Sequence, residues 1–126
     1  MGLDFQPIDT FDDQARADLA KVGPLSMYEG AQSAGFAALF AILQNGDRVG
    51  SVLAKSETTP DGKTELLLEA AYAETVSTIL YDGLSYFEHL ARANGFDAIN
   101  FQTERPGLAL YAMKKKGASA QLRWEL

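Results

Sequence analysis

Residues 64–101 read TELLLEAAYAETVSTILYDGLSYFEHLARANGFDAINF. Their pattern decides the fold. Residues 64–73 hold Leu66-Leu67-Leu68 between a polar turn and Glu74, which predicts a strand. Val76, Ile79, Leu80, Gly83, Leu84, Phe87, Leu90 and Ala91 then step by three or four residues along one stripe, the period of a long amphipathic helix. Asn94-Gly95 supplies a left-handed stop. Residues 96–103, with Ile99 and Phe101, predict another strand. A strand, a crossover helix and a strand imply parallel pairing with a right-handed crossover.

Upstream, residues 36–43 form an unbroken apolar run, as in a strand covered on both faces. Asn45-Gly46 follows it, a pair suited to a tight type I′ hairpin, and residues 48–55 return. Pro60-Asp61-Gly62 is the tip of a second turn, so residues 36–73 predict a three-strand antiparallel meander. Residues 5–8 predict a first strand, with Asp9-Thr10 as the cap of a helix over residues 11–22 that Gly23-Pro24 stops. Residues 25–35 fit a short helix or a loop. Downstream, Pro106 suits the start of a short helix carrying Leu108-Ala109-Leu110-Tyr111 and ending Lys114-Lys115-Lys116-Gly117. Residues 118–126 alternate apolar and polar side chains, as a closing strand does.

The chain of 126 residues has the length of a single domain spanning 1–126, with no linker or repeat. Its net charge of -6 argues against nucleic acid and anionic membrane surfaces, which need clustered Lys and Arg. No apolar stretch approaches the roughly 20 residues of a membrane span, and the N-terminus shows no signal-peptide pattern, so a cytoplasmic location is expected. Without cysteine there is neither thiolate catalysis nor Cys-ligated zinc, and a single histidine, His89, makes a multi-His metal site impossible.

The order of elements, with residues 93–101 (Ala93-Asn94-Gly95-Phe96-Asp97-Ala98-Ile99-Asn100-Phe101) and 108–118 (Leu108 to Ala118), resembles the GNAT superfamily of N-acetyltransferases. The topology covers nearly the whole chain and the motifs about thirty residues. The resemblance implies an α/β (α+β) fold: a mixed sheet, an antiparallel meander followed by β-α-β-α-β with a splayed parallel strand pair. It also implies acetyl-CoA or another acyl-CoA as cofactor and an amine substrate. Tyr111 matches the residue that protonates the departing CoA thiolate, for which a phenol still protonated at neutral pH is suited. A core aromatic of a short helix is the alternative for it. Glu69 matches the base for the amine, with Glu65 and Glu74 as neighbours; the alternative is the wet face of a strand.

By the same resemblance, Ala70 and Tyr72 bring backbone N–H groups to the acyl carbonyl, and the pyrophosphate falls at Val76, Ser77, Thr78 and Ile79. There the chain departs from the family pattern of Arg or Gln followed by glycines. Thr75, Thr78 and Leu80 occupy those positions, and Gly83 is the only glycine between residues 63 and 94. Glycines let a phosphate approach backbone N–H groups, whereas β-branched Val76, Thr78 and Ile79 suit an ordinary helix start. Two readings follow. One is an acyl-CoA-dependent N-acyltransferase with a divergent cofactor loop. The other is a non-catalytic GNAT-like protein for assembly or interaction, such as a phage virion or host-interaction protein, working as a homo-oligomer or within a larger assembly.

Overall fold

The structure, a computed structural model, describes residues 3–73 and 77–101. The elements run β1 (Leu3–Ile8), α1 (Asp13–Ala20), α2 (Leu25–Ser33), β2 (Ala37–Gln44), β3 (Asp47–Thr58), β4 (Thr64–Ala73), α3 (Ser77–Ala93) and β5 (Ala98–Phe101). The five strands form one sheet in sequence order. β1 to β4 pair antiparallel, so the meander has four strands, and β5 pairs parallel to β4.

Local chemistry explains most boundaries. Asn45 and Gly46 both adopt positive φ, 53° and 85°, so two residues close the hairpin between the paired Gln44 and Asp47. α3 ends in a Schellman motif: Gly95 has φ 76°, its N–H donates to Arg92, and the Phe96 N–H donates to Ala91. Asp97 then joins the two parallel strands at their start, donating its N–H to the Thr64 carbonyl and accepting from the Thr64 N–H at 2.9 Å. The ambiguous residues 25–35 are mostly helix, α2. The helix cap expected at Asp9-Thr10 falls instead on Asp12, whose Oδ1 accepts the Ala15 N–H at 2.8 Å. The apolar run 36–43 is buried only from Leu39 to Ile42, and Phe36 is 73% exposed.

The core lies on both faces of the sheet. α1 and α2 cover one face, where Ala15, Leu19 and Tyr28 meet Leu39, Leu53 and Ala70. α3 covers the other, where Phe87 and Ala91 meet Phe5, Phe40, Val52 and Leu66. Phe87 is 2% exposed and stands edge-on to Phe5 and Phe40, with ring centres 5.5 and 5.3 Å away. Tyr86 stacks on Phe5 at 4.6 Å. Tyr86 and Phe87 therefore pack the core, while Tyr72 lies on the other face with α1. His89 is exposed on α3.

A buried polar network ties α1 to β3. The Ser51 hydroxyl donates to Asp18 at 2.7 Å and accepts from Arg48 Nη2 at 2.9 Å. Both Ser51 and Asp18 are essentially inaccessible, so the pairing satisfies groups that would be costly alone. Arg48 also forks onto Asp12, with Nη1 2.7 Å from Oδ2, and this guanidinium holds the Asp12 carboxyl below its ordinary range.

Candidate functional site

The parallel pairing of β4 with β5 runs from Glu65–Ala98 to Leu68–Phe101, and β4 continues to Ala73. Just past Leu68, β4 slips against β3. Leu53 opposes Ala70, Ala54 opposes Leu68, and Glu69 is the extra residue of a β-bulge. A bulge leaves its extra residue outside the regular ladder and re-aims the side chains that follow. Here it places Glu69 and Ala70 on the same side. Leu66 and Leu68 pack under α3, whereas Ala70 joins the α1–α2 core and Tyr72 meets Lys21 at the end of α1.

Glu69 is not on a wet face. Its side chain is 17% exposed and its Oε2 is 2.9 Å from the Lys55 ammonium, itself 30% exposed. Oε2 is buried and has an ion-pair partner without a well-directed hydrogen bond. The adjacent Glu69 carboxylate raises the Lys55 pKa despite desolvation, so this lysine stays charged well above neutral pH. Tyr28 of α2 is buried at 6% exposure. Burial, and secondly the charge of Glu69, push its phenol pKa up, so it stays a neutral proton donor at physiological pH. The carboxylate matched from sequence thus stands with an ammonium and a phenol. An open groove of about 560 Å³ adjoins it, lined by Phe36, Lys55, Ser56 and Glu57 among others.

Tyr72, three residues along β4, lies under Lys21. The Lys21 Nζ is 4.4 Å from the ring centre and 3.4 Å from the hydroxyl. Ala71, between Ala70 and Tyr72 along the strand, is exposed. Of the expected phosphate residues, Ser77, Thr78 and Ile79 form the first turn of α3. Val76, expected at the phosphates, and Tyr111, expected to protonate the thiolate, lie outside the described residues. So the structure places Glu69, Ala70 and Tyr72 on one face of one strand, and Ser77 to Ile79 four or more residues beyond its end. Among the described residues, no group of three or more His, Asp or Glu is placed to hold a metal ion, and no helix is long and apolar enough to cross a membrane.

Sequence reasoning missed Lys55, Tyr28 and Lys21. Lys55 had a usable signal. Counting from the Asn45-Gly46 hairpin puts it on the same face of β3 as Leu53, and the second turn brings that face to β4. Tyr28 lay in the stretch left open between helix and loop. The Lys21–Tyr72 contact spans 51 residues and has no local signature.

Solved structures show which proteins share this fold. The chain is similar to a ribosomal-protein-alanine N-acetyltransferase from Brucella melitensis biovar Abortus 2308, with TM-score 0.68 and 15% identity over 99% of this chain and 98% of that one. It is similar to an aminoglycoside N-acetyltransferase in complex with CoA, with TM-score 0.63 and 12% identity over 99% and 93% of the two chains. An aminoglycoside acetyltransferase from an uncultured soil metagenomic sample, in complex with sisomicin, matches with TM-score 0.65 and 13% identity over 98% and 94%. No protein-family model and no curated protein matches the sequence. The chain has the GNAT fold, a mixed five-stranded sheet with helices on both faces, as its element order implies.

Proposed function

We propose that the protein is an acyl-CoA-dependent N-acyltransferase. The observation that carries this reading is the bulge at Glu69. It leaves a carboxylate, a buried alanine and a phenol facing one way along the second half of β4. The full-length likeness to acetyltransferases, one of them holding CoA, supports it.

The residues present fit such a cofactor on one count: Ala71 is exposed and Tyr72 half-buried in a strand that β3 and α1 otherwise cover. The backbone from Ala70 to Tyr72 would hold the acyl end, and the first turn of α3, at Ser77, Thr78 and Ile79, the phosphates, after Val76. Acyl-CoA, when bound, supplies an activated thioester. With acyl-CoA bound, Glu69 would take the proton that an attacking amine must lose, and Lys55, 2.9 Å away, would hold the carboxylate in place. Tyr111, by its match in sequence, would give a proton to the sulfur of the departing thiolate. The acceptor is an amine, and the groove beside Phe36 and Lys55 is its approach.

A non-catalytic assembly role is the second reading. It is favoured by α3 being regular helix from Ser77, with no glycine to admit a phosphate. Titration with millimolar acetyl-CoA, followed by calorimetry and thermal shift, separates the two. At a hundredfold excess over Kd, binding stabilises the fold by about 2.7 kcal/mol. The enzyme reading expects that shift, and a flat response removes it. Given binding, Tyr111→Phe should lower turnover and leave affinity unchanged.

A further inference from the structure

A primary amine already stands where the proposed chemistry needs one. The Lys55 Nζ is 2.9 Å from the Oε2 of Glu69, the carboxylate that would deprotonate an acceptor. Lys55 opposes Leu67 across the β3–β4 ladder, so its side chain runs along β4 towards Ala70 to reach that carboxylate. Ala70 follows Glu69 directly and begins the stretch of backbone assigned to the acyl end. The Lys55 side chain is 30% exposed and lines the groove of about 560 Å³ beside Phe36, so it is not sealed in the core. Glu57, two residues along the same strand, is a second and weaker source of negative charge. Lys55 is therefore held on the base at the open side of the site.

A general base removes a proton from whichever amine it touches, and an amine fixed beside it reacts without a bimolecular encounter. We propose that Lys55 is itself an acceptor, taking an acyl group from bound acyl-CoA onto its Nζ. The step depends on the acyl-CoA reading of the site. Glu69 takes a proton from the ammonium and the freed nitrogen attacks the thioester carbon. The C–N bond forms and the C–S bond breaks, its electron pair leaving on sulfur. Of the two protons that the nitrogen gives up, one ends on the CoA sulfur and the other passes to water. The product is an uncharged amide, so each chain reacts once at this position and Glu69 then loses its cation. A purely structural ion pair between Lys55 and Glu69 predicts instead an effect on stability and no acyl uptake.

The experiment incubates the full chain with acetyl-CoA and no added amine, and reads acetyl uptake at each lysine by peptide mass spectrometry. Lys63, exposed between β3 and β4, reports unassisted chemistry. Glu69 keeps Lys55 protonated, so unassisted acetylation should be slower at Lys55 than at Lys63. With Glu69 as base the order reverses: Lys55 is acetylated first, to one group per chain, at a rate that saturates with acetyl-CoA. Acetyl phosphate, an acyl donor without the CoA moiety, should label Lys63 ahead of Lys55. Glu69→Gln should slow uptake at Lys55 by about a hundredfold, the lower end of what a general base contributes. Without a base role the same substitution speeds uptake, because an amine that has lost its carboxylate gives up its proton more readily. Calorimetry with acetyl-CoA is run on both chains. Binding without preferential uptake at Lys55, or undiminished uptake in a folded Glu69→Gln, overturns the role of Lys55 and leaves the acyl-CoA reading standing. No acetyl-CoA binding by the wild-type chain overturns both. If Glu69→Gln does not fold, the order of Lys55 and Lys63 in the wild-type chain decides alone.

Discussion

Replacing Gly50 with alanine should damage the protein at the end of β4. Gly50 opposes Ala73, and a Cβ built on it would lie 2.1 Å from the Tyr72 carbonyl oxygen and 2.9 Å from the Ala73 Cα. Both are backbone atoms, so no side chain can swing aside; β3 and β4 must separate by about an ångström to restore contact distance. Overpacking of this kind costs about 1–3 kcal/mol, and weakening one ladder hydrogen bond adds about 1 kcal/mol. Lower chain entropy in the unfolded state returns about 0.4–1 kcal/mol, because Gly50 is not at positive φ. The net loss is about 2–3 kcal/mol. Gly30→Ala is the control. It makes the same chemical change within α2, where a Cβ meets nothing within 4 Å, and should gain about 0.5–1 kcal/mol. Urea unfolding reads both: with a slope of about 1–3 kcal/mol/M, Gly50→Ala lowers the midpoint by about 1 M and Gly30→Ala raises it. A Gly50→Ala midpoint equal to wild type would refute the close approach of β3 and β4 at this point.

Two further outcomes follow from packing and charge. Phe87→Ala should cost about 3–5 kcal/mol in urea unfolding, because it empties the centre of the aromatic cluster that joins α3 to Phe5 and Phe40. Asp12→Asn keeps a capping oxygen but loses the charge facing Arg48; with Asp12 half exposed the cost is about 0.5–1 kcal/mol at pH 7. Since Asp12 titrates below its ordinary value, wild type should keep that advantage above about pH 4 and lose it as pH falls through the lowered pKa, as melting temperatures at pH 7 and pH 2 would show.

Features whose causes are local were legible in the sequence. The Asn45-Gly46 hairpin needs two residues that tolerate positive φ, and those two residues suffice. β4 was bounded on one side by the Pro60-Asp61-Gly62 turn, and α3 by its apolar stripe and the Asn94-Gly95 stop. α2 was not legible because little in its composition favours a helix: Gly30 interrupts it, Pro24 caps it with no side-chain bond, and the burial of Tyr28 anchors it. The cap of α1 was misplaced because Asp9, Thr10 and Asp12 are all good capping residues. Arg48, 36 residues away, binds the one that serves. In the site, the identity of Glu69 was readable and its surroundings were not. Its ion pair with Lys55 and its proximity to Tyr28 are products of the sheet register and of α2 packing.

The bulge is the step that a strand pattern could not supply, and the site depends on it. Side chains alternate along a strand, so a regular β4 continuing from Leu66 and Leu68 would send Ala70 and Tyr72 beneath α3 and turn Ala73 toward α1. The buried alanine would leave the α1–α2 core, and Lys21 could not reach the phenol. One extra residue reverses the alternation after Glu69. Ala70 then packs with Leu39 and Leu53, Ala73 stays in the α3 core, and Tyr72 comes under Lys21. The carboxylate itself keeps the face it shares with Lys55. A single inserted position thus brings a carboxylate, a buried alanine and a cation-bearing ring to one face of β4.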